Sequence, residues 1–102
     1  MKYATAHSFM LSLAGVSEEP HFHLASFRVN KKIFCTAPPE QTHLHIFVDD
    51  TTREQALELY PDSCEKLWWG KKVVGLRVNL AHVKPTVVKD LLQKAWAGKS
   101  GC

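Results

Sequence analysis

Ala25-Ser26-Phe27-Arg28-Val29-Asn30-Lys31-Lys32-Ile33-Phe34-Cys35-Thr36, residues 25–36, is the stretch whose reading decides the fold. Aromatic and β-branched residues dominate both sides of Asn30-Lys31, so Ala25–Val29 and Lys32–Thr36 read as two strands joined by a two-residue connection. Asn tolerates the positive φ that a hairpin turn of the primed type demands; Lys31 suits it less well than Gly would. The same arrangement recurs downstream. Leu67-Trp68-Trp69 and Val73–Leu80 flank Gly70-Lys71, and Gly at the first central position fits a type II′ turn. Two tight hairpins imply antiparallel pairing, because parallel strands need long crossovers.

The remaining elements are arranged around these hairpins. Tyr3, Ala6, Met10 and Leu13 share one helical face, with Gly15 where a C-terminal cap belongs. Glu18-Glu19-Pro20 then reads as a break. After Pro38-Pro39, Thr42, Leu44, Ile46 and Val48 alternate with His43, His45 and Phe47, the pattern of a half-buried strand. Thr51-x-x-Glu54 has capping-box spacing, so a short helix is expected from there to about Tyr60, ended by Pro61. Pro85 sits at a favoured first helical position, and Val88, Leu91, Leu92, Ala95 and Trp96 form an apolar stripe, with Trp96 expected in the core. The expected architecture is α+β: a two-layer sandwich with an antiparallel sheet of about five strands, the N- and C-terminal helices on one face, and a short middle helix. Residues 1–102 make one domain, with 98–102 expected to be a flexible tail.

Composition narrows the function classes. With 102 residues, 45% hydrophobic and 23% charged, the chain has room for one core and is neither disordered nor disulfide-stapled. The formal net charge of +3 is unevenly distributed. Residues 1–40 hold four Lys/Arg against three acids, residues 41–70 two against six, and residues 71–102 seven against one, giving +1, −4 and +6. Cys35, Cys64 and Cys102 form no C-x-x-C pattern, which reads as free thiols in a reducing cytoplasm. No export signal or membrane span is evident.

The candidate chemistry lies at the hairpin tips. Asn30-Lys31-Lys32 and Gly70-Lys71-Lys72 each place two lysines at a turn, with Arg28 and Arg77 a few residues back, so each ribbon can offer three cations. Such ribbons can straddle phosphates without reading bases. Lysines also keep turns soluble and protect sheet edges, which is the competing explanation. His21-x-His23 and His43-x-His45 each put two imidazoles on one strand face and would suit zinc, nickel or copper if the pairs met. The spacing is common by chance and no acid or Cys accompanies it, so neither a metal nor another cofactor is expected. Adjacent Trp68 and Trp69 should point to opposite faces, leaving one for stacking or an interface. Neither Cys35 nor Cys64 has an adjacent His, and there is no phosphate loop or acid/base pair, so an enzyme is not expected.

The order of motifs resembles the MmcQ/YjbR family of small bacterial proteins. The resemblance is carried by Leu13-Ala14-Gly15-Val16-Ser17-Glu18-Glu19, by Ala25–Phe34, by Trp69-Gly70-Lys71-Lys72-Val73-Val74-Gly75-Leu76-Arg77-Val78, and by Leu91-Leu92-Gln93-Lys94-Ala95-Trp96, over roughly residues 5–97. It implies a fold like that of bacterial frataxin homologues and type III secretion chaperones. It also implies DNA binding, by likeness to winged DNA-binding folds. Lys31 stands where members often have Gly, which makes this tip more basic. A Lys that many members carry before the middle helix is absent from His45-Ile46-Phe47-Val48-Asp49-Asp50. The expectation is a non-enzymatic DNA-binding or regulatory protein contacting double-stranded DNA through Arg28, Lys31, Lys32, Lys71, Lys72 and Arg77. The alternative is a protein-interaction module holding a partner on the open sheet face or in an apolar groove.

Overall fold

The structure, a computed structural model, describes residues 1–100. Cys102 and the end of the expected tail lie outside them. The chain runs α1 (Tyr3–Ser12), β1 (Val16–His21), β2 (Leu24–Val29), β3 (Lys32–Ala37), β4 (His43–Ile46), α2 (Asp50–Leu59), β5 (Cys64–Trp69), β6 (Lys72–Asn79) and α3 (Pro85–Lys99). The strands form one sheet in the order β1-β2-β3-β4-β6-β5, with every neighbouring pair antiparallel. The α+β sandwich is as expected, with one strand more than the five anticipated.

That strand is β1, where Glu18-Glu19-Pro20 read as a break. It lies at the sheet edge, bonded only to β2 through the register Val16↔Val29 to His21↔Leu24. An edge strand accommodates a proline because one row of its N–H groups has no ladder to complete, and its carboxylates discourage pairing with a further chain.

One face of the sheet is the core. Phe27, Phe34, Leu44, Ile46, Leu76 and Val78 are fully buried there against Ala6 and Met10 of α1 and Val88, Leu91, Leu92 and Ala95 of α3. α1 packs on β1 and α3, α3 on β3 and β4, and α2 on β5 and β6. Trp96 is only half-buried, at the margin of this core, and its indole N–H donates to the Ala14 carbonyl at 2.9 Å. The helix α3 continues through Gly98 and Lys99, which were expected to belong to the tail.

The cap of α2 differs from the expected box. Asp49 is the N-cap, its carboxylate accepting from the Thr52 backbone N–H at 2.8 Å, and the helix begins at Asp50. Glu54, which the box assigned to the cap, instead accepts from Arg53 Nε at 2.8 Å. Asp and Thr both make good caps, and here the residue nearer the strand end gets there first. Both hairpin turns are as expected. Asn30 and Lys31 have φ of 53° and 66°, the two positive values of a type I′ turn, whereas in the second loop only Gly70 is positive, at 63°.

Candidate nucleic-acid interface

Strand direction fixes where the lysines go. β2 and β3 run in opposite directions and meet at Asn30-Lys31; β5 and β6 do the same at Gly70-Lys71. β4 lies between β3 and β6 and is antiparallel to both, so β3 and β6 run the same way, each starting from its own tip. The two Lys-Lys tips therefore project from the same end of the sheet. Three strand spacings of about 4.8 Å separate their centres, or roughly 14 Å before sheet twist is added. Lys31, Lys32, Lys71 and Lys72 are all exposed, and none forms an ion pair among the described residues.

The arginines behave differently. Arg28 Nε donates to Ser26 Oγ at 3.2 Å and lies 3.8 Å from Glu19 Oε2. Arg77 Nη1 donates to Glu65 Oε1 at 2.7 Å across the β5–β6 ladder, where Glu65 and Arg77 are register partners. Both sit back along the sheet and face carboxylates, so the structure does not bring them to the tips with the lysines. Arg53 is likewise engaged, with Asp50 and Glu54 both at 2.8 Å, which neutralises much of the acidic start of α2.

The open face has two zones. A row of polar residues crosses all six strands in register: Glu19, Ser26, Thr36, His45, Arg77 and Glu65. Within it Ser26 Oγ donates to the Glu19 carbonyl at 2.6 Å, and Thr36 Oγ1 lies 3.4 Å from His45 Nδ1. His45 Nε2 is buried without a partner. Desolvation first, then Arg77 and His43, hold the His45 imidazole below its ordinary pKa. His43 is lowered as well, by desolvation and Arg77, against a smaller opposing effect of Glu65.

A groove of about 550 Å³ runs from near the tips to this row at Thr36 and His45, and past it to the β1–β2 turn. Ile33, Phe47, Val48, Leu67, Val74, Trp68 and Trp69 line it, together with His45, Thr36 and Lys99, and it extends toward His21 and Leu24. Among the described residues no carboxylate lines it. Both indoles are exposed, Trp68 at 58% and Trp69 at 79%, so neither occupies the core as the alternation rule required. The cause is a register shift between Leu67 and Trp68. Leu67 faces Gly75 but Trp68 faces Val73, leaving Val74 as an extra residue on β6. A bulge breaks strict up-down alternation, and here it turns both rings toward the groove.

The histidine pairs stay apart. β2 and β3 separate β1, with His21, from β4, with His43 and His45, and His23 is in the β1–β2 turn. Among the described residues no three His, Cys, Asp or Glu side chains gather as metal ligands would. Burial pushes the Cys35 thiol far up, and Cys64 up as well, so neither favours a thiolate. Among the described residues no helix is long and apolar enough to cross a membrane. Phe47, Val48 and Lys99 were missed as site residues. Phe47 and Val48 read as a strand end and Lys99 as tail, and only strand order shows that they lie between the tips.

Known proteins resemble the chain in two ways. A family model described as YjbR matches residues 11–97. Among solved structures, the crystal structure of Deinococcus radiodurans protein DR2400, described with a DUF419 domain, is similar with a TM-score of 0.79. The two are 16% identical, and the match covers 93% of this chain and 75% of that one, a likeness of fold. No curated protein matches.

Proposed function

The chain belongs to the YjbR family, and on that premise we propose that it is a small, non-enzymatic, cytoplasmic DNA-binding or regulatory protein that contacts phosphates through Lys31, Lys32, Lys71 and Lys72. The observation that supports this reading is the placement of two unpaired Lys-Lys tips at one end of the sheet, while the arginines are held by carboxylates. Lysine at a turn gives a mobile point charge, suited to neutralising a backbone and not to bidentate recognition of a base. Arg28 and Arg77 would contribute by holding the ribbons in place, each bridging to a neighbouring strand.

Titration of an end-labelled duplex by fluorescence anisotropy at several salt concentrations tests the proposal. Four phosphate contacts give a log–log slope of about −3.6, and Lys71→Ala should reduce it by about 0.9. Affinity no better than that of an unrelated protein of the same net charge sinks the reading. The groove with two exposed indoles favours a second reading, in which the open face holds a segment of a partner protein.

A further inference from the structure

We infer that the preferred nucleic acid is single-stranded, with unpaired bases stacking on Trp68 and Trp69 in the open-face groove while the tip lysines take the flanking phosphates. The inference rests on the DNA-binding reading and specifies its substrate class. It starts from the lining of the groove. The floor is apolar, and among the described residues the only formal charge lining it is the cation of Lys99, with no carboxylate. Lys71 and Lys72 follow Trp69 across a single glycine, so one short ribbon presents two indole faces and two cations. A partner that fits must pair flat apolar faces with a regular anionic backbone. Single-stranded nucleic acid has both, and each base–aromatic stack contributes substantially whatever the base.

A duplex supplies only half of this. Its bases are stacked on one another, so it can touch the lysines but cannot reach the groove floor without opening. An acidic peptide has charge and apolar side chains, but those side chains need closed slots. Here the groove is an open trough with its two largest rings standing exposed at the lip. Trp69 at 79% exposure makes little use of its ring within the fold.

The experiment compares an oligothymidine of about eight to twelve nucleotides with a duplex of the same length. Both are titrated into the wild type, Trp68→Leu, Trp69→Leu and the Lys71→Ala, Lys72→Ala double variant. Leucine keeps apolar bulk and removes the flat π face. Because both rings are exposed, the Leu variants should melt with the wild type, and Trp69→Phe should restore part of any loss. The expected result is tighter binding of the oligothymidine than of the duplex, with Trp emission quenched. Each Trp→Leu change should weaken the single strand by roughly five- to a hundredfold and leave the duplex within about twofold. The lysine variant should weaken both. If duplex binds as tightly as single strand, or the Leu variants bind oligothymidine normally, stacking is refuted while the phosphate contacts survive. Failure of both nucleic acids to bind removes both proposals. Displacement of the oligothymidine by an Asp/Glu-rich aromatic peptide at lower concentration assigns the groove to a protein.

Discussion

Gly75→Ala should destabilise the protein by about 3 kcal/mol, because β4 passes too close to β6 for any side chain at that position. A Cβ built on Gly75 lies 2.4 Å from the Ile46 carbonyl oxygen and 3.2 Å from both the Ile46 carbonyl carbon and the Phe47 Cα. All three atoms are backbone, so no side chain can swing aside. Ordinary contact begins at 3.4 Å, so about 1 Å of separation has to be found between two strands paired through Ile46↔Leu76. Moving them apart by that amount stretches the local ladder bonds from about 2.9 Å to beyond the hydrogen-bonding limit. Losing one such bond costs about 1 kcal/mol and overpacking a full interior adds about 1 to 3 kcal/mol, a sum centred on the estimate. For a domain of this size it corresponds to a fall in Tm of roughly 12 to 24 °C. Thermal and urea unfolding followed by circular dichroism measure it. A shift of less than about 3 °C would show that the β4–β6 approach is not as tight as described. The question bears on function, because Gly75 adjoins the bulge that turns Trp68 and Trp69 toward the groove.

Two further outcomes follow from local geometry. Asp49→Ala should lower Tm by a few degrees while Thr51→Ala leaves it unchanged, since it is Asp49 that accepts from Thr52; equal effects would restore Thr51 as the cap. Stability should also fall on mild acidification because of His45, with His43 acting in the same direction. Their folded-state pKa values lie below the ordinary 6.5, so the unfolded chain takes up protons at a higher pH than the folded one. Their contribution is complete above the ordinary value and is lost as pH falls through the depressed folded values. Melting curves between about pH 7.5 and 5 should show the decline, and His45→Gln should flatten it.

The sequence was most legible where a single residue determines local geometry. Asn30, Gly70 and Pro85 place two turns and a helix start, and each is where the spacing put it. Legibility failed where pairing overrides propensity. Val16–His21 has no strand signature of its own and is a strand only because β2 offers it a ladder. Trp68 and Trp69 could not be assigned by alternation, since a bulge is a property of two strands in register and neither strand reveals it alone. The site was half legible. Both lysine pairs were visible at turns, but their projection from one end depends on β4 inserting between β3 and β6.

That placement changes what the net charge of +3 means. Arg28, Arg53, Arg77 and Lys94 all lie beside carboxylates and contribute little field at a distance. The exposed lysines of the tips have no ion-pair partner among the described residues, so four uncompensated charges stand at one end of the sheet. At physiological ionic strength the screening length is about 8 Å, shorter than the roughly 14 Å between tip centres. Each tip therefore acts on its own: a small anion at one is barely affected by the other. Only a chain of charges long enough to span both gains from the pair, and the indoles of the groove stand along that path. On the proposed reading the arrangement would select for a polyanion over any single phosphate-bearing molecule, because linking two weak sites through one ligand raises affinity by effective concentration without any new contact.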